Sequence, residues 1–565
     1  MVHIFLLRWI ASISLISGVL ANKPMPERPK QQSQQQQQRQ PQPQKQQQEQ
    51  MSRCMTEAAA RDAVVSATQA KKCQDEAMKA FTEAGGKAAD FANAQLEGAK
   101  SSAVDKMSTC METKATAAGK DLKTAVEEGK TWQRECTQEA MTAFESSGGG
   151  AGNFAAAIRN GAQASAADKM QTCMETKATG ARKALTDATD GERTTWREAC
   201  DPEAKAAFIA AGGKAEDFET GKKTGAQARA ADKMNTCMET IATKASKTVK
   251  TATRDEMQTW RRQCDAEAMA AFQAAGGRSK DYEEEKRKGA QAKAADSMKG
   301  CMDEKAKAAN SEIGNVANAV KTAWHRECHD DARAAFEAAG GNAEEFDRAQ
   351  SEGAALQAAD KMKDCLTTQA GTTALTAASD MQRRTWAQAC NREVQAEFEK
   401  SGGKPGDFAM AQQRGAQSKA AEVRKACTLN LAETAGKDMR TASETQKRAW
   451  DSTCSAEARK DFVERGGSPE DFERAERQGA QSNAVEKMKT CLEGKAGEAS
   501  KTFQAAADNE KANWRRTCEA DVLEEFEASG GKLQEFETAF RKGAEARLAE
   551  SMQTCVDGKA DDASK

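Results

Sequence analysis

Two cysteines recur along the chain at a fixed separation, and this pattern limits the fold more than any other feature. Eight copies fit C-x7-F-x3-G-G-x4-[FY]-x6-G-A-x10-C, so the second cysteine always lies 37 residues after the first. Successive first cysteines are 62 to 64 residues apart, which is typical of a tandem repeat. The first cysteines are Cys73, Cys136, Cys200, Cys264, Cys328, Cys390, Cys454 and Cys518, and the second are Cys110, Cys173, Cys237, Cys301, Cys365, Cys427, Cys491 and Cys555.

The residue types within each copy indicate helices. Only 38% of the residues are hydrophobic and 5% are aromatic, which is thin for large globular cores. In the third copy Phe218, Ala226, Ala230, Met234 and Met238 fall on one helical face. We predict an all-α tandem array, a solenoid or rod of about eight disulfide-stapled helical hairpin repeats of ~64 residues, preceded by a disordered N-terminal arm.

Local signals predict where the helices begin and end. Pro202 follows Cys200 and Asp201, an order typical of a helix N-cap and first turn, so we expect a new helix there and a kink at the cysteine. The Gly212–Gly213 pair supplies a left-handed stop.

A helix of about 30 residues should follow each Gly-Gly pair. The sequence Ser468-Pro469-Glu470-Asp471 predicts its start in one copy, and Gly225–Ala226 indicates a close contact between helices in another. Between copies the length varies and glycine appears at shifting positions, which predicts a tolerant loop.

These signals divide the chain into segments. Residues 1–21 are the predicted signal peptide, 22–53 a disordered segment rich in Gln and Pro, and 54–72 a truncated leading half-repeat. The predicted repeats are residues 73–135, 136–199, 200–263, 264–327, 328–389, 390–453, 454–517 and the incomplete 518–565.

Two disulfide frameworks are open. In a straight hairpin about the Gly-Gly pair, the two cysteines of one copy would lie roughly 16 to 18 Å apart along the axis, too far to bond. We therefore favour bonds across the variable loop, which also use Cys54 and leave Cys555 unpaired or intermolecular, whereas the other framework leaves Cys54 over. The favoured pairs are 54–73, 110–136, 173–200, 237–264, 301–328, 365–390, 427–454 and 491–518.

The N-terminus predicts export. Arg8 precedes thirteen uncharged, mostly apolar residues, too few to span a bilayer, and Val19 and Ala21 fit a cleavage site. Seventeen cysteines without a C-x2-C cluster favour structural disulfides in an oxidising compartment. We expect a protein that is extracellular or within a secretory organelle, with no membrane span after signal cleavage.

The segment 22–53 carries six basic and two acidic residues, and residues 31–50 include fourteen glutamines. This composition predicts disorder and leaves cross-linking or self-association through Gln open. The remaining charges are mixed, and we expect no nucleic-acid partner.

Few residues carry chemistry. His325 and His329 flank Cys328 at helical spacing, so a metal site or Cys-His catalysis is conceivable. Other copies hold Gln133 and Thr137 at these positions, which favours surface variation. We expect no catalytic, cofactor-binding or metal-binding residue and no cofactor.

Two functions fit this pattern. The near-uniform copies favour a secreted, non-enzymatic structural protein that supplies matrix, coat or granule material. The alternative is a multivalent secreted or surface-associated binding protein or adhesin that uses its repeats for avidity. Partners under these hypotheses are further copies of the chain or extracellular proteins.

Overall fold

The structure is a computed structural model that describes residues 53–54, 67–83, 91–122, 126–150, 153–370, 375, 378–499, 503 and 505–545. Within these ranges it is all-α and contains no strand. The predicted signal peptide, nearly all of the 22–53 segment and Cys555 lie outside the described residues. The helices are α1 (Ala67–Glu83), α2 (Phe91–Ala117), α3 (Val126–Ser146), α4 (Phe154–Gly180), α5 (Asp190–Ala210), α6 (Phe218–Lys244), α7 (Arg254–Ala274), α8 (Tyr282–Ala308), α9 (Asn318–Ala338), α10 (Phe346–Ala370), α11 (Asp380–Lys400), α12 (Phe408–Thr434), α13 (Glu444–Glu464), α14 (Phe472–Glu498) and α15 (Asp508–Ala528).

Long and short helices alternate and pack as hairpins. The even-numbered helices have 25 or 27 residues and contain the second cysteine of a copy, and each packs along the 21-residue helix that follows it. We number these pairs hairpin 1 (α2 and α3) to hairpin 7 (α14 and α15). The predicted tandem array of disulfide-stapled helical hairpins is therefore confirmed.

The short helices run straight through the first cysteine, so the predicted kink and new helix at Pro202 are wrong. Helix α5 begins after Thr189, whose hydroxyl and the Glu192 carboxylate form a capping box. Pro202 lies inside this helix. The helix continues because Cys200, Ala204 and Phe208 extend one buried face against the long helix.

The Gly-Gly pair ends each short helix from α3 to α15 as predicted. Gly212 has a φ of +93°, and the Gly213 amide donates to the Phe208 carbonyl at 2.8 Å, which is the expected helix-terminating bond. The Phe208 and Phe218 rings meet edge-on across this corner with centroids 5.8 Å apart. The Pro469 signal opens a 3₁₀ turn, Pro469–Asp471, and the α-helix itself begins at the next residue.

The described parts of the linkers share one apolar position, although the linkers vary in length as predicted. An apolar residue lies 12 residues after the second cysteine in six hairpins, or 10 in the shortest linker. Its side chain is buried in four of the seven hairpins and half-buried in hairpins 2, 3 and 7, and a 3₁₀ turn carries it in hairpins 2, 3 and 4. Burial of this side chain fixes the loop although its length and glycine positions vary. The buried examples are Leu122, Ile313, Leu375 and Met439.

Successive long helices pack on one another where Gly-Ala recurs. A Cβ on Gly225 would lie 2.5 Å from the Gln163 carbonyl oxygen of α4, so the predicted close contact exists and is made with the preceding hairpin. Long helices three hairpins apart also touch, so the array winds into a superhelix with the long helices inside. These pairs are α2 with α8, α4 with α10, α6 with α12 and α8 with α14.

Candidate functional site

Each hairpin is closed by one disulfide between its two arms. The Cα atoms of the bonded cysteines are 5.4 to 5.9 Å apart, which is the normal range for this bond. In each bond the cysteine that begins a copy, such as Cys136, is fully buried. The cysteine that ends the preceding copy, such as Cys110, is half-buried in most hairpins. The structure pairs Cys54 with Cys73, Cys110 with Cys136, Cys173 with Cys200, Cys237 with Cys264, Cys301 with Cys328, Cys365 with Cys390, Cys427 with Cys454 and Cys491 with Cys518.

An ion pair beside the disulfide recurs on the hairpin surface. A lysine four residues before the second cysteine contacts a glutamate three residues after the first, at nitrogen to oxygen distances of 2.6 to 3.3 Å. These side chains reach across the hairpin, so the repeated surface charges contact each other within the chain. The pairs are Lys106 with Glu139, Lys169 with Glu203, Lys233 with Glu267, and Lys361 with Glu393.

The two histidines of α9 have different partners. Burial lowers the pKa of His325, which also contacts the backbone of Glu399. The imidazole of His329 lies 3.4 Å from the Asp347 carboxylate, and this hydrogen bond raises its pKa. No group of three or more potential metal ligands occurs among the described residues.

The superhelix axis is filled by charged side chains. We call the set Lys223, Glu284, Glu285, Arg287, Lys288, Glu422, Lys425, Glu486 and Glu525 the axial network. Lys425 Nζ lies 3.0 Å from a Glu284 oxygen and 2.7 Å from a Glu525 oxygen, and its side chain is only 2% exposed. The network thus ties α8, α12 and α15 together, although they belong to three different hairpins.

Opposite charges favour the charged form of Glu422, Lys288 and Lys425 in this network. Burial opposes the charge of Glu422, but Lys288, Lys419 and Lys223 surround it and hold its pKa at about 2. Burial also opposes the charge of Lys288 and Lys425. Neighbouring carboxylates, Glu284 in both cases, outweigh burial and raise the pKa of each ammonium group. Burial raises the pKa of Glu525, so the shifts favour the charged form at Glu422, Lys288 and Lys425 but not at Glu525.

Three buried ion pairs join neighbouring hairpins, and we call them the rungs; one of them, Lys425–Glu525, is also part of the axial network. Each joins a lysine two residues before a second cysteine to an acid seven residues after the next hairpin's first cysteine, at 2.6 to 2.8 Å. The rungs are Lys299–Glu397, Lys363–Asp461 and Lys425–Glu525.

Sequence reasoning missed the rungs, although the chain carries a signal for them. In the earlier hairpins the lysine position holds an uncharged polar residue and the acid position holds alanine, so both change together. The matched positions are Ser108 with Ala207, Gln171 with Ala271, and Asn235 with Ala335.

One open groove of about 660 Å³ lies between hairpins 1 and 2 and is lined by Lys120, Leu122 and Lys169 among others. It borders residues 123–125, which the structure does not describe, and we assign no site to it. None of the described helices is long and apolar enough to cross a membrane.

Comparison of the chain with protein-family models, with curated proteins and with solved structures finds no match. The function must therefore be inferred from the repeated disulfide-stapled hairpins and their packing. Such units fit a secreted structural or binding protein, and eight disulfides are consistent with an oxidising, extracellular compartment.

Proposed function

We propose that the protein is a secreted, non-enzymatic structural protein that supplies matrix, coat or granule material. The observation that carries this proposal is the filled axis. Helical solenoids commonly bind partners on the concave surface made by their inner helices. In this array long helices three hairpins apart touch, and the axial network lies between several of them, so the chain covers part of its own inner surface.

The outer surface supports a structural role over a repeated binding site. The position nine residues before the first cysteine is exposed in six hairpins, where it holds Gly191, Asp255, Ala319, Met381, Thr445 and Asn509. A ligand site repeated for avidity would need similar chemistry at equivalent exposed positions. Free variation there fits a spacer better than a multivalent adhesin.

The disulfides fit a material exposed to proteases and changing solvent. Each closes a loop of 19 to 27 residues, a restraint that contributes on the order of 3 kcal/mol to a small unit with few large side chains. The predicted signal peptide and these disulfides together support secretion.

Localisation of the endogenous protein tests the proposal. Immunogold labelling should concentrate in bulk extracellular material, a coat or a granule, and the purified protein should turn over no substrate. Labelling confined to cell surfaces and displaced by a soluble ligand would favour the adhesin. Turnover that disappears in His325→Ala, but persists in the matched surface variant His329→Ala, would favour an enzyme.

A further inference from the structure

A repeated ion pair joins long helices three hairpins apart. The base lies 14 residues before the second cysteine of its hairpin. The acid lies 5 residues before the second cysteine of a hairpin three places later in the array. Arg287 Nε lies 2.9 Å from a Glu486 oxygen, and Arg159 lies 3.7 Å from an Asp360 oxygen. Two pairs are in contact, Arg159 with Asp360 and Arg287 with Glu486. At the equivalent positions Lys223 contacts Glu285 and acts on Glu422 through its charge without forming an ion pair with it.

The bases at the C-terminal end of the array are exposed. Arg477 and Arg541 occupy the same repeat position as Arg287, and both are exposed. The Arg541 side chain is 74% exposed, compared with 14% for Arg287. The C-terminal end therefore presents two cations in positions that are paired inside the array.

The acids at the N-terminal end are exposed in the complementary way. We call Asp105, Asp168 and Asp232 the N-terminal acidic row. Asp168 and Asp232 are 58% and 52% exposed, whereas the equivalent Glu486 is 9% exposed. Asp168 already contacts Arg229, and Asp232 lies 2.6 Å from Lys293, each on the next hairpin. Asp360 contacts Lys419 of its next hairpin in the same way and also contacts Arg159, so these two acids of the row can take a second cation as Asp360 does.

The C-terminal end also exposes an apolar position. Ala544 lies in the helical residues 536–545 and is exposed. The alanine at the same repeat position is at most 1% exposed in every long helix from α2 to α14. A helix face used for packing throughout the array is thus uncovered in the described structure.

We propose that a second copy of this chain covers the C-terminal end, so that molecules join head to tail and continue the superhelix. Arg477 and Arg541 of one copy meet the N-terminal acidic row of the next copy, as Arg159 and Arg287 meet their acids within one chain. The interface repeats an established contact, and its two sides carry opposite charge. This inference rests on the structural function proposed above and names the partner that such a material would use.

Sedimentation of the full secreted chain tests the inference. All variants carry Cys555→Ser, so that no intermolecular disulfide contributes. The parent should form multiples of the monomer that decrease with added salt, because surface charges are screened. A C-end variant, Arg477→Glu with Arg541→Glu, should weaken assembly at least about tenfold. An N-end variant, Asp105→Lys with Asp168→Lys and Asp232→Lys, should do the same.

Mixing the two variants is the decisive step. In each variant alone the two ends carry charge of the same sign, so copies repel one another. In an equimolar mixture the acidic C-terminal end of one variant meets the basic N-terminal end of the other, and assembly should return. A matched control, Arg262→Glu with Arg384→Glu, removes the same charge from exposed short-helix positions and should assemble like the parent. Circular dichroism identifies any variant that loses its helices, and the C-end variant and control then decide alone.

Two results would overturn the inference. One is a parent that stays monomeric at low salt, and the other is a C-end variant that assembles as well as the control. A monomeric protein that still labels bulk extracellular material would leave the proposed function standing. A protein that assembles but is found only at cell surfaces would support the head-to-tail inference and contradict the proposed function.

Discussion

One residue just after each of several long helices has a left-handed backbone conformation, with positive φ, and the hairpin loop begins there. It lies nine residues after the second cysteine, and it is Gly436 in hairpin 6, with a φ of +60°. Three other hairpins place Arg182, Ser246 and Asn310 there at φ of 51° to 56°. The shifting linker glycines hid this position in the sequence, because residues other than glycine also occupy it.

Gly436→Ala should destabilise the protein by about 1 kcal/mol, because an L-residue is strained at positive φ. No heavy atom lies within 4 Å of the added Cβ, so strain is the only cost. Gly494→Ala is the matched control: its Cβ also meets nothing, but it lies inside α14, where alanine should stabilise by about 0.5 to 1 kcal/mol. Urea unfolding midpoints should move in opposite directions, and a parallel shift would contradict the loop geometry.

The two histidines should give opposite pH dependences. The raised pKa of His329 means that its contribution to stability is full below the unfolded value of about 6.5 and is lost as pH rises through the folded pKa. The pKa of His325 is lowered, so the wild type loses stability as pH falls below about 6.5. Melting temperatures between pH 5 and 8 should show His329→Asn most harmful at pH 5 and His325→Asn least harmful there. The same pH trend for both variants would contradict these environments.

At the level of helices, the cysteine spacing predicted the disulfide pairs correctly, whereas the proline predicted a helix start that does not exist. The fixed separation of 37 residues, together with helical rise, favoured the cross-loop pairs that the structure contains. The helix start at Pro202 was wrong because a capping signal in a short stretch is weaker than the apolar face that α5 shares with α4 over its whole length. The true start, Thr189 with Glu192, matches a sequence capping box, but it lies in the linker that length variation marked as tolerant.

Pro202→Ala tests this helix directly. Inside a helix proline removes a hydrogen bond and crowds the preceding turn, so alanine should stabilise the protein by up to about 3 kcal/mol. Hairpin 3 already carries alanine at the same place, Ala266. The melting temperature should therefore rise. A fall would indicate that a helix begins at Pro202, where proline is favourable.

One disulfide can be removed to show that the hairpin is the stapled unit. Cys237→Ser with Cys264→Ser opens a loop of 27 residues and should cost on the order of 3 kcal/mol. Amide hydrogen exchange should quicken in α6 and α7 and much less in hairpin 7. Uniform exchange along the whole array would mean that the hairpins do not open separately.

The path of the whole array could not be read from the sequence. Repeats and helices predict stacking, but the superhelix depends on the angle at which Gly225 lets α6 cross α4. That angle decides whether α4 and α10 meet, and no local pattern encodes it. The paired changes at the rung positions were readable, because lysine at one position accompanies an acid at the other.

The rungs lead to a prediction about which hairpins are removable. Deleting residues 404–467 takes out hairpin 6 and brings Lys363 to Glu525, so a lysine still faces an acid. Deleting residues 278–341 takes out hairpin 4 and brings Asn235 to Glu397, a buried acid that then has no cation. Glu399 likewise loses Lys321, its partner at 2.6 Å, and faces Met257.

The two deletions remove equal lengths, and each also breaks the axial contacts between α8 and α12, so each is the control for the other at the rungs. A buried carboxylate without its partner costs about 3 to 5 kcal/mol, and the hairpin 4 deletion should therefore melt well below the hairpin 6 deletion. Far-ultraviolet circular dichroism during heating measures this. Replacing Asn235 by lysine in the hairpin 4 deletion should recover part of the loss, since it restores a cation opposite Glu397. Equal melting of the two deletions, or no recovery by Asn235→Lys, would mean that the rungs do not determine which hairpins are compatible neighbours.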